Sequence, residues 1–144
     1  MNTGTPTAEA VHRPKKWVLW TGRILSALPI LVMLLSGSMK LIRLPQVVDG
    51  FVRQFGYPEN ELLIIGVVEV TCALLYAIPR TAFLGAILVT GYLGGAIATH
   101  VRISDPAFVG PLMLGIFAWA GLYLRDDRLR ELILLRQTPI RPAT

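Results

Sequence analysis

The chain has 144 residues, 53% of them hydrophobic and only 16% charged, with a formal charge of +5, whereas soluble domains carry about 25% charged residues. Residues 24–39, 62–79, 81–99 and 106–124 make up half the chain and hold a single charge, Glu69. Segregation on this scale excludes a soluble enzyme or a nucleic-acid binder and points to an integral membrane protein, with the basic residues at the ends of the apolar runs meeting anionic lipid.

Residues 1–16 are polar, contain Pro6 and Pro14 and show no apolar period, which predicts a disordered tail. A cleaved signal peptide is the competing reading of residues 17–38, which end in Ser36-Gly37-Ser38; Arg23 interrupts that apolar run. A transmembrane domain is expected over 17–125, with spans at about 20–40, 62–79, 81–100 and 106–124. Each run approaches the ~20 helical residues that cross a hydrocarbon core. The spans must be helical, because an open strand leaves backbone groups unpaired in lipid. The expected fold class is therefore all-α, a four-helix membrane bundle. Ten Lys and Arg residues fall on the side of the two tails and Arg80, against four on the other side: Lys40, Arg43, Arg53 and Arg102. That bias puts both termini in the cytoplasm, and Trp17, Trp20, Tyr76 and Tyr123 fall near the inner interface as an aromatic belt.

The connections differ in length. Pro79-Arg80 allows only a tight turn between spans two and three. The first connection, 41–61, is longer, and its Val47, Val48, Phe51, Val52 and Phe55 recur on one helical face before Gly56 and Pro58. The spacing predicts an amphipathic helix over the outer mouth. Residues 126–144 predict an inner amphipathic segment and tail, with Leu129, Leu132 and Ile133 on one face. Span three carries Gly91-x-x-x-Gly95 and Gly94-x-x-x-Ala98, spacings that admit close approach of another helix, inside the bundle or in a homo-oligomer.

Glu69 lies at the middle of span two, where an ionised carboxylate costs at least about 2.5–3.5 kcal/mol. It is expected to face the bundle interior and to stay protonated or find a cation. The candidate partners end spans one and three: Lys40, His100 and Arg102. Counted along the helices, Lys40 lies about 10–12 Å above Glu69, nearly within reach of two extended side chains. Tyr92 lies below His100 on roughly the same face and adds a phenol at depth. Other chemistries fail by count. A bis-histidine haem lacks a second histidine in the spans, zinc lacks ligands, and Cys72, the only cysteine, allows no internal disulfide and no redox pair.

At these residues the chain resembles the DoxX-like family. The likeness rests on Ser36-Gly37-Ser38-Met39-Lys40, Phe55-Gly56-Tyr57-Pro58, Gly66-Val67-Val68-Glu69 and the stretch from Gly94-Gly95 to Ala98-Thr99-His100-Val101-Arg102. It departs from the family at Ser104-Asp105, where Gly-Asp is frequent. The resemblance implies a small four-helix protein of the inner membrane, with Lys40, Glu69, His100 and Arg102 at the family's recurrent polar positions. Some relatives are subunits of quinone-reducing sulfur-oxidising complexes, others are linked to redox defence, and distant eukaryotic ones act as assembly chaperones.

Three functions fit these residues. A membrane redox component would bind a quinone or similar lipophilic ligand in the outer half. Glu69 and His100 would then handle protons as the catalytic pair, Lys40, Tyr92 and Arg102 would bind the substrate, and a partner subunit would supply electrons. No covalently bound cofactor is expected. A redox-neutral enzyme would use Glu69 and His100 as acid and base on a hydrophobic substrate, as an isomerase, cyclase or epoxide hydrolase does. A non-enzymatic subunit or chaperone would use Glu69 and Lys40 to fix helix register. Transport finds no support, since no inverted repeat with broken helices is visible.

Overall fold

The computed structural model describes residues 16–126 together with 129 and 130. The expected tail 1–16 therefore lies almost wholly outside the described residues. Of the expected C-terminal amphipathic segment only Asp126, Leu129 and Arg130 are described, and Leu129 packs against the core.

Every regular element among the described residues is helical. The first, α1 (Lys16–Leu41), is followed by α2 (Pro45–Asp49), which runs on as a π-helical turn, Gly50–Gln54. Then come α3 (Glu61–Ala77), α4 (Ala82–Arg102), a 3-10 turn at Pro106–Phe108, and α5 (Val109–Arg125). Prolines set several of these limits. Pro45 opens α2, where its missing N–H has no partner to lose. Ile78 turns extended (φ −78°, ψ 121°) ahead of Pro79, which ends α3. Asp105 caps the 3-10 turn by accepting the Ala107 N–H.

Three helical stretches are long and apolar enough to cross a membrane: Lys16–Leu41, Ala82–Arg102 and Pro106–Arg125. At 17 residues, α3 is about 25 Å long. The four long helices enclose one core: α1 packs along α3 and α5, and α4 packs along the same two.

The close contacts concentrate at particular glycines. A Cβ on Gly22 would fall 2.9 Å from Arg125 N, and one on Gly121 would fall 2.5 Å from Ser26 Oγ, so α1 meets α5 nearly backbone to backbone. Farther along α1, Gly37 and Gly66 make the equivalent crossing with α3. Gly85 of α4 sits on the Tyr76 backbone.

The stripe Gly91, Gly94, Gly95 behaves differently from its expected role in close packing. A Cβ at any of the three would meet nothing within 4 Å. The helix crossings are made elsewhere, and this stretch of α4 is left open. Tyr76 also departs from its expected place in an interfacial belt, being fully buried. Its hydroxyl donates to Ala118 O (2.6 Å) and pairs with Ser26 Oγ (3.0 Å), while the Arg125 guanidinium lies 4.9 Å from its ring centre. One phenol thereby ties α3 to α1 and α5 at the end of the molecule away from Lys40.

Candidate functional site

The crossing at Gly37 and Gly66 sets the geometry of the charged pair. With no side chains between them, α1 and α3 bring Lys40 Nζ to 2.7 Å from Glu69 Oε2. Helical side chains lean toward the helix N-terminus, so the Lys40 stem runs back along α1 and its ammonium also donates to Ser36 Oγ, one turn earlier, at 2.6 Å. This backward lean closes the 10–12 Å expected from counting residues alone. The side chains are only 14% and 5% exposed, so the pair is shielded from water. Each charge depends on the other for its solvation.

Both residues line a cavity of about 520 Å³, within the range of small-molecule sites. Tyr92 lines it too, its hydroxyl in reach of the Glu69 carboxylate. His100 stands toward the Lys40 end, and Val32, Met33, Ile65, Leu93 and Leu114 supply apolar walls.

The roof comes from residues 45–57, called the strap below. Phe51, buried, stacks on Tyr57 at 4.9 Å between ring centres, and Phe55 meets the His100 ring edge-on at 5.0 Å. All three aromatic residues line the cavity. Left-handed backbone occurs at Arg43 (φ 50°), just before the strap, and at Gly56 (φ 71°), near its end; the second suits glycine, which has no Cβ to clash.

The end of α4 fastens this strap. Thr99 Oγ1 lies 3.0 Å from Tyr57 Oη, and Arg102 donates to Phe55 O while its guanidinium lies over the Tyr57 ring. Asp105 joins three segments: its Oδ1 accepts the Ala107 N–H, and its Oδ2 meets His100 Nδ1 at 2.8 Å and Gln54 Nε2 at 3.4 Å. These bonds, the Ala107 N–H first and His100 next, hold the Asp105 carboxyl below its ordinary pKa. His100 is thus oriented through Nδ1, and among the described residues no hydrogen bond engages its Nε2.

Of the residues singled out from sequence, Lys40, Glu69, Tyr92 and His100 meet at one cavity. Arg102 does not line it and is directed at the strap. Asp105, Tyr57 and Thr99 gained no role from sequence. Asp105 did carry a signal, an Asp-Pro start to a helical turn five residues after a histidine. Among the described residues no three His, Cys, Asp or Glu side chains gather as metal ligands; the polar groups facing the cavity suit hydrogen bonds to an organic molecule.

No curated protein and no solved structure matches the chain. The sequence profile of the DoxX-like family matches residues 24–121, well over half its length. The chain belongs to the DoxX-like family, and it is a membrane protein of apolar helices in contact with lipid.

Proposed function

We propose that this chain is a four-span protein of the inner membrane that holds a lipophilic, carbonyl-bearing ligand of the quinone type beneath the strap, as part of a membrane redox system. In this reading the spanning domain covers residues 17–125, α3 forms the fourth span, both termini are cytoplasmic and the strap faces outward. The observation that carries the reading is the Lys40–Glu69 pair on the wall of a 520 Å³ cavity. An ammonium has three N–H groups, and Ser36 and Glu69 take two of those of Lys40. The third is left for an acceptor in the cavity, such as a ring carbonyl.

A bound quinone would supply two-electron redox chemistry, with a partner subunit as the electron donor. Lys40 and Tyr92 would donate hydrogen bonds to carbonyl oxygens. Glu69, with the Tyr92 hydroxyl beside it, would hold or pass a proton at the carboxylate. His100 would exchange a proton at Nε2, its ring fixed by Asp105. Arg102, bound to Phe55 O, would act on the ligand only by holding the strap in place.

One observation favours a redox-neutral alternative: the His100–Asp105 pair has the geometry of an oriented general base. With Glu69 as acid, the same cavity would serve an isomerase or a hydrolase of greasy substrates.

Mass spectrometry of lipophiles retained by the gently purified protein, wild type beside Glu69→Gln and Lys40→Met, tests the proposal. A quinone retained by the wild type and lost in both variants supports it. Another defined lipophile moves the assignment to acid–base chemistry. Bulk lipid alone in all three, with a partner protein co-purifying, refutes ligand binding and favours a subunit or chaperone.

A further inference from the structure

Among the described residues nothing lies within 4 Å of a Cβ built at Gly91 or Gly95, yet both line the cavity, and both are exposed. Gly94, between them, is equally exposed and equally free of neighbours but does not line it. Along α4, Gly95 and Gly91 lie about 10 and 16 Å before Arg102. In a span that ends at Arg102, exposure at that depth is exposure to acyl chains, not to water. The Lys40 end, by contrast, is roofed by Phe51, Phe55 and Tyr57 and fastened through Thr99, Arg102 and Asp105. The cavity is therefore roofed by the strap at its Lys40 end and bordered along α4 by exposed backbone at bilayer depth.

We infer that the ligand is an amphiphile with a hydrocarbon tail, seated with its polar head at Lys40 and Glu69 and its tail leaving into the bilayer over Gly91 and Gly95. This rests on the proposed function and narrows its ligand class. The head site alone would accept a small soluble carbonyl compound as readily as a lipid. The missing side chains of Gly91 and Gly95 make a chain-bearing ligand fit, because a Cβ branch at either position would stand in the path of the tail. The same reasoning makes the two glycines specificity determinants and gives Gly94 no such role.

The test uses the full chain in detergent micelles and two probes, a decyl-tailed benzoquinone and the same ring with a methyl in place of the tail. Ligand retained per protein is measured for wild type, Gly91→Leu, Gly95→Leu and Gly94→Leu. None of the three leucines meets a neighbour at its Cβ, so each variant is expected to fold. The expected result is a loss of at least about tenfold for the tailed probe in Gly91→Leu and Gly95→Leu, equivalent to about 1.4 kcal/mol. The tail-less ring should stay within about twofold of wild type in both, and Gly94→Leu should bind both probes normally. Equal loss of both probes, or retention of the tailed probe in Gly91→Leu and Gly95→Leu, overturns the tail path while leaving the head site standing. Loss in Gly94→Leu also overturns it and points to a packed interface between copies. Failure of the wild type to bind either probe removes the proposed function itself.

Discussion

Separating Lys40 from Glu69 is expected to cost far more than replacing both. At 2.7 Å, two unit charges attract by about 6 kcal/mol at an effective dielectric constant of about 20. Several kcal/mol per ion of lost hydration oppose this, so the pair as a whole adds little. Removing one member leaves the other charge 5–14% exposed with Ser36 or Tyr92 as its remaining polar company. The expected loss is about 3–5 kcal/mol for Lys40→Met or Glu69→Leu alone. The double variant fills the same space with apolar atoms and should recover most of it, so that its loss is far smaller than the two single losses added together. Denaturant titration in detergent micelles, followed by helical circular dichroism, measures all four corners of this cycle. Single losses that simply add in the double variant would refute the idea that each charge is solvated mainly by the other.

Three further outcomes are expected. Tyr76→Phe removes the hydroxyl shared by Ala118 O and Ser26 and should lower stability by about 1–2 kcal/mol in the same titration. Gly85→Leu drives a side chain into the Tyr76 backbone and should cost about 3 kcal/mol or prevent folding, whereas Gly94→Leu, with open space around it, should leave the midpoint unchanged. The Asp105 carboxyl, held below its ordinary value of 3.8 by the Ala107 N–H and His100, supports the folded strap while ionised. That contribution is full above about pH 4 and is lost as pH falls through the depressed value. Hydrogen exchange at residues 50–57, corrected for intrinsic pH effects, should therefore accelerate only below that point in wild type. In Asp105→Asn it should be fast throughout.

The apolar runs and the lone charge within them made the membrane assignment legible, because hydrocarbon tolerates so few alternatives for backbone and charge. Glu69, Lys40, His100 and Tyr92 were legible as a group for the same reason: helical period and span direction fix which residues share a level. Contacts that depend on how two helices cross were not. Gly91-x-x-x-Gly95 carries the small-residue spacing of a helix crossing and the isolated Gly37 and Gly66 do not, yet only the second pair makes one. The direct Lys40–Glu69 bond followed from that crossing and from the backward lean of the lysine stem. The reach of Arg102 allowed either the cavity or the connection as its target, and its bond to Phe55 O becomes visible only once residues 45–57 are seen folded against the end of α4. Tyr76, an amphipathic residue placed by sequence at an interface, spends its hydroxyl inside the protein instead.

The tight glycine crossings of α1 with α5 and of α4 with α3, and the buried Tyr76, lie toward one end of the molecule, while the cavity and its strap occupy the other. The cavity end keeps one such crossing, Gly37 with Gly66, and shares Met33 and Leu93 with the core. Substitutions at Gly91 or Gly95 can reshape the cavity wall without disturbing those contacts. A scaffold divided in this way can diversify: the cavity wall along α4 can change its shape while the locked end keeps the helices in register.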